Sequence, residues 1–145
     1  MPFIVIASLI FILDHSIKIL VDKTMVVNQS IPVLNNILSI TYVQNRGAAF
    51  GLFWGSTLIL IIVGFLAILG IIYFHEHIAK NSLLQFPLAF LLGGSLGNIV
   101  DRLFRSYVVD YIDFHFWPVF NLADIMINLG VFLIILYIMF NKGDD

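Results

Sequence analysis

Two carboxylates in this chain stand out, and neither has a Lys or Arg beside it in sequence. Asp110 stands in "VVDYIDF", and Asp124 stands in "FNLAD" at the mouth of an apolar run from Asn121 to Phe140. As a helix that run is on the order of 30 Å long, enough to cross a bilayer's hydrocarbon core. A charge at the edge of such a core is costly, which makes Asp124 a functional candidate. If folding sets the two acids on opposite sides of one water, repulsion and partial burial split their pKa values. One then stays ionised and polarises the water as general base, while the other keeps its proton and donates to the carbonyl oxygen of a peptide bond. Amide hydrolysis by such a pair needs neither metal nor covalent nucleophile. Asp113 competes with Asp110 for its role, and spacing does not separate them. Asp124 also has a purely structural reading, as the N3 residue of a helix whose N-cap is Asn121.

Two other patterns imitate catalytic motifs. "GGSLG" matches the G-x-S-x-G nucleophile elbow at Ser95, with Asp110 and His115 following in hydrolase order. That motif requires a strand-turn-helix in a large α/β sheet, whereas here it lies inside an apolar helical run. "HEH" at His75 to His77 lacks the i, i+4 histidine spacing of a zinc protease helix and reads as a solvated helix end.

The elements that must position these acids follow from hydropathy. Four runs are long and apolar enough to be spans, about 3–21, 57–74, 83–104 and 121–140. The first carries Asp14 and Lys18 four residues apart, so one helix face holds both and they can neutralise each other. With no Lys or Arg ahead of it, it reads as a retained helix rather than a secretory signal peptide. In the third, Ala89, Gly93 and Gly97 form a small-residue stripe suited to close helix packing. One turn on, Asn98 is spaced to face Asp101 and Arg102, and Asp101 can pair with Arg105. The long stretch between spans one and two alternates at Ile40, Tyr42 and Gln44 and reads as a strand or two ending at the Gly47 turn. Tyr107, Tyr111, Phe114, Phe116 and Trp117 in the third loop suit a membrane-water interface.

Composition agrees. Hydrophobic residues make up 61% and charged residues 11%, with a mean hydropathy of +1.04, against roughly 25% charged in soluble domains. Residues 1–145 thus read as a single integral-membrane domain, all-α apart from a small β-like cradle in the first long loop. A net charge of −2 without a basic cluster excludes nucleic acid as a partner. Lack of Cys removes thiolate nucleophiles and thiolate metal ligands. No cofactor and no metal are expected. Four spans would place the first and third loops on one side, gathering "QNRGAAFG", "GGSLGNIVDR", "VVDYIDF" and "FNLAD" at one interface. A proton-coupled transporter would scatter its acids through the bilayer's depth instead. A non-catalytic assembly subunit would use its ion pairs only to specify packing.

Five pieces in this order resemble bacterial lipoprotein signal peptidase, also called signal peptidase II: Asp14 with Lys18, "NRGAAFG" from Asn45, "GGSLGNIVDR" from Gly93, "VVDYIDF" from Val108, and "FNLAD" from Phe120. The resemblance spans essentially the whole chain. It implies an aspartic intramembrane endopeptidase that cuts diacylglyceryl-modified prolipoproteins just before the lipidated Cys. It also implies Asp110 and Asp124 as the catalytic pair, supported by Asp14, Asn45, Gly47, Asn98, Arg102 and Asn121. A monomer in the bacterial inner membrane is expected, in contact with membrane lipid, with cytoplasmic termini and an active site near the periplasmic face. That orientation puts Lys80 and Lys142 inside and Lys23, Arg46, Arg102 and Arg105 outside, against the positive-inside tendency; Arg46 and Arg102 fall within the matching motifs.

Overall fold

The computed structural model describes residues 2–47, 56–79 and 83–140. Helix α1 (Pro2–Thr24) leads into strands β1 (Ser30–Leu34) and β2 (Leu38–Asn45). Helix α2 (Thr57–Phe74) continues into a π-helical turn at His75–Ala79, followed by α3 (Gln85–Arg105), β3 (Val108–Asp113) and α4 (Leu122–Phe140). Residues Ala48 to Gly51 of the "NRGAAFG" motif, with Lys80 and Lys142, lie outside the described residues.

Helix α3 is the hub, packing against α1, α2 and α4. Its buried face holds Ala89, Gly93 and Gly97, the stripe legible in the sequence, and also Gly94. Two glycines show why small residues are needed. A Cβ on Gly94 would stand 2.5 Å from the Ala123 carbonyl oxygen of α4, and one on Gly97 would collide with the Asp14 carboxylate of α1. Ser106, in the left-handed conformation, ends α3 and returns its N–H to the Arg102 carbonyl at 3.1 Å.

Helix α1 turns one stripe inward, with Phe3, Ala7, Asp14, Lys18 and Val21 buried. Outward-facing residues of the bundle are apolar: Leu9, Val63, Leu66 and Phe132 are each more than half exposed. Such a surface is stable in lipid and not in water. Among the described residues, three helices are long and apolar enough to cross a membrane: Pro2–Thr24, Thr57–His77 and Leu122–Phe140. The expectation of four is met for three. Helix α3 falls short in composition: its last two turns carry Asn98, Asp101, Arg102 and Arg105.

The expected cradle is a three-stranded antiparallel sheet in the order β1-β2-β3. Its third strand is a correction to the sequence reading, which built the cradle from the first long loop alone; β3 comes from the third loop. Val108, Val109, Asp110 and Tyr111 are consecutively buried, so no alternation betrays the strand. Tyr42, Val109 and Tyr111 pack on Val21 and Met25, seating the sheet on the end of α1. Phe120 bridges back to Ile112, with N–H···O distances of 2.8 and 3.1 Å, and this returns the chain to the sheet just before α4 begins.

The "HEH" reading needs a partial correction. Glu76 and His77 are exposed, but His75 is buried, its ring stacked on Phe3 at 3.7 Å between centroids.

If glycine packing sets the helix spacing, Gly94→Ala should destabilise the protein by about 1–3 kcal/mol, since the carbonyl it meets is backbone and cannot step aside. Gly70→Ala, with nothing within 4 Å of its added Cβ, should unfold at the wild-type temperature or above. Thermal unfolding of both variants in one detergent checks this, and equal behaviour would contradict the packing account.

Candidate active site

Asp110 and Asp124 reach the same space from different elements. Asp110 lies on β3 and is 1% exposed; Asp124 lies in the first turn of α4. Both line a cavity of about 1000 Å³, together with Asn45, Arg46, Asn98 and Arg102.

Four amide donors converge on the two carboxylates. Asp110 Oδ1 accepts from Asn121 Nδ2 at 2.6 Å, and its Oδ2 accepts from Asn45 Nδ2 at 2.9 Å. Asp124 Oδ1 accepts from Asn98 Nδ2 at 2.8 Å, and its Oδ2 accepts from the Asn121 N–H at 3.3 Å. Asn121 Oδ1 in turn accepts the Asp124 N–H at 3.0 Å. This reciprocal pair is a capping box. The structural reading of Asp124 is therefore correct, and the same cap holds Asp124 at the cavity wall.

Burial raises the Asp110 pKa to about 7, and the neighbouring Asp124 charge adds to the rise; the Asn45 and Asn121 donors and the Lys18 charge oppose it. Asp113 behaves differently. Its slight burial is outweighed by donors from the His115 N–H and Thr41 Oγ1, each at 2.8 Å, and its pKa is lowered. Its carboxylate does not line the cavity.

The supporting residues occupy two tiers. Asn45, Asn98 and Arg102 line the cavity, and the fully buried Asn121 bonds directly to both acids. Gly47 accepts Arg102 Nη2 at its carbonyl at 3.1 Å and donates its N–H to Asn45 Oδ1 at 2.9 Å, which holds both side chains at the rim. Asp14 stands behind the site rather than in it: its Oδ1 accepts the Ala123 N–H at 2.9 Å, and Lys18 Nζ is 2.8 Å from its Oδ2.

The Asn98 side chain departs from its expected direction. Its amide does not face Asp101 and Arg102: Asp101 pairs with Arg105 at 2.8 Å and accepts the Val109 N–H at 3.0 Å, while Arg102 donates to the backbone carbonyls of Asn98 at 3.5 Å and Gly47 at 3.1 Å. Asn98 turns instead to Lys18, Asn121 and Asp124. Ser95 lies in the interior of α3 and is absent from the cavity lining, so the elbow pattern has no elbow. His115 approaches Ser39, at 3.3 Å, rather than Ser95.

Several cavity residues carried no mark in the sequence, among them Val27, Asn28 and Asn128, and Trp117 was marked only as an interfacial aromatic. Only Asn128 had a usable cue, its position one helical turn beyond Asp124 in an otherwise apolar run.

A family model described as Signal peptidase (SPase) II matches residues 6–140. The lipoprotein signal peptidase of Halothermothrix orenii is 39% identical over 134 residues, covering 92% of each chain. That of Fusobacterium nucleatum subsp. nucleatum is 43% identical over 147 residues, covering 98% of this chain and 89% of the relative. A bacterial membrane enzyme solved by the in meso method at 2.3 Å resolution superposes with a TM-score of 0.92 at 31% identity, over 99% of this chain and 93% of the solved one. A second, at 1.9 Å, gives 0.88 at 32% identity, over 99% and 94%. Matched by the family model from its first helix to its last, and by these relatives over nearly its full length, the chain belongs to the signal peptidase II family.

Proposed function

We propose that residues 1–145 form one integral-membrane aspartic endopeptidase domain that removes signal peptides from diacylglyceryl-modified prolipoproteins, cutting just before the lipidated Cys. The observation that carries this reading is the placement of Asp110 and Asp124 in one cavity, tied together through Asn121. Asp110 holds the proton at rest, consistent with its pKa of about 7. Asp124 acts as base: it takes a proton from the water as the oxygen attacks the scissile carbonyl, while Asp110 gives its proton to the carbonyl oxygen. In the second step the proton on Asp124 passes to the leaving amine, the C–N bond breaks, and the carbonyl oxygen returns its proton to Asp110. The pair is thereby restored.

In this reading α3 is the fourth span, accepted by the membrane because its charged end is covered by α1, β3 and ion pairs. The enzyme is a monomer of the bacterial inner membrane with cytoplasmic termini and its site near the periplasmic face. The lipid on the substrate Cys stays in the bilayer while the bond before it reaches the cavity. The arginines that offend the positive-inside tendency are engaged: Arg46 and Arg102 line the cavity, and Arg105 pairs with Asp101 and Asp22.

Asp110→Asn and Asp124→Asn should each lower cleavage of a lipidated precursor by at least roughly 10³-fold with the protein still folded. The double variant should be little worse than either single one. Asp113→Asn should remain active. An active Asp110→Asn beside an inactive Asp113→Asn would move the site to the other loop acid.

The pH profile gives a second test. A proton donor with a pKa raised to about 7 is competent below that pH and lost as the pH rises through it, so kcat/KM should fall on the alkaline side of about 7. Asn45 donates to the charged form of Asp110 and lowers its pKa. Asn45→Ala should therefore slow turnover and move the alkaline limb to higher pH; a downward move would contradict the assignment of acid and base.

A further inference from the structure

Lys18 is fully buried and sits behind the cavity without lining it. The sequence makes it the counter-ion of Asp14, four residues before it. In the structure its ammonium also donates to Asn98 Oδ1 at 2.9 Å, across eighty positions of sequence, and lies 3.6 Å from Asp101.

We propose that Lys18 is a positioning residue for hydrolysis, whose donor-only ammonium fixes the orientation of the Asn98 amide and so keeps the Asn98 N–H aimed at Asp124. The inference rests on the two-aspartate reading above.

A side-chain amide has two nearly isosteric orientations, and its surroundings choose between them. Asn98 Oδ1 faces two donors, Lys18 Nζ at 2.9 Å and Asn121 Nδ2 at 3.2 Å, while its Nδ2 faces the Asp124 carboxylate at 2.8 Å. Turning the amide over would set its NH₂ against an ammonium that has no acceptor, and its oxygen against a carboxylate that has no donor. The first fault would lie where water is scarce, since Lys18 is fully buried and Asn98 is 8% exposed. Asn121 favours the same choice, because its own Oδ1 accepts the Asp124 N–H at 3.0 Å and its Nδ2 is thereby turned toward Asn98. Lys18 is the nearer of the two donors, at 2.9 Å against 3.2 Å, and the charged one, so it carries the larger share of the preference.

The same arrangement explains why a charge is kept in a place where it is costly. Asp14 and Asp101 flank Lys18, and Arg105 holds the other side of Asp101, giving two carboxylates and two cations. A buried ion pair is weak evidence for stability, and its better attested use is to specify one arrangement among alternatives. Here the arrangement specified is the polarity of the hydrogen bonds beneath the site.

The test separates positioning from charge balance. Asp14→Asn serves as the reference, and Asp14→Asn/Lys18→Met removes the pair as a neutral unit. Each is made with Asn98 present and with Asn98→Ala, and kcat and KM are measured on purified, folded full-length protein with a lipidated precursor. With Asn98 present, adding Lys18→Met should lower kcat by about 10- to 100-fold while KM stays within about 2-fold, the size of effect seen when an outer residue orients a reacting group. With Asn98→Ala, the same change should lower kcat by less than about 3-fold, because the residue it acts through is gone. Equal losses in both backgrounds, no loss in either, or a Lys18→Met pair that fails to fold where Asp14→Asn folds would each overturn the proposal. Asp110→Asn and Asp124→Asn in the same assay report on the two-aspartate reading separately: their activity would sink that reading whatever Lys18 does.

Discussion

Two carboxylates that face one cavity repel each other, and fixed donors or a proton let them remain close. That constraint organises this molecule. Asp110 and Asp124 are supplied by a strand and a helix that meet only because Phe120 returns to the sheet beside Ile112. The residue after that bridge, Asn121, touches both acids at once. Donors to the pair come from three more directions: Asn45 on β2, Asn98 on α3 and, through Asn98, Lys18 on α1. Strand β2 and helices α1 and α3 thus each carry an amide or cation turned toward the acids or their donors.

Close packing is what makes those donors reach. Hydrogen bonds of 2.8–2.9 Å between side chains on different helices, from Lys18 to Asn98 and from Asn98 to Asp124, leave little freedom in helix spacing. Gly94 and Gly97 on α3 let α4 and α1 approach until backbone and carboxylate stand where a Cβ would be. Asp14 shows the coupling: its carboxylate fills the space at Gly97, accepts the Ala123 N–H of α4 and holds Lys18. In the mechanism proposed here a change that widened the helix spacing would disturb chemistry as well as stability, because the same contacts serve both.

Much of this was legible in the sequence and some was not, for physical reasons. Apolar runs of membrane length marked the helices within a few residues, and the small-residue stripe marked the packing face of α3. Four expected spans implied that the first and third loops share a side, and β2 does pair with β3. Strand β3 itself left no trace, because Val108 to Tyr111 are buried on both faces and period-2 alternation needs one face wet. Asn98 was misread because helical spacing reports only neighbours on its own helix, while its partners lie on α1 and α4. His75 was misread likewise: its cover, Phe3, comes from another helix. Asp113 and Asp110 could not be told apart by spacing, but three residues along a strand put one at the cavity and the other under Thr41 and the His115 N–H.

The central claim is that Asp110 keeps its proton near neutral pH because it is buried beside a second charge. Difference infrared spectroscopy of the purified protein measures this directly through the carbonyl band of a protonated carboxyl group. The account predicts a band that is missing from Asp110→Asn, that titrates near pH 7 in the wild type, and that titrates at lower pH in Asp124→Asn, where the neighbouring charge is gone. A wild-type protein whose carboxyl band has vanished by about pH 5, the range of ordinary carboxylates, or a band whose titration ignores Asp124→Asn, would contradict it.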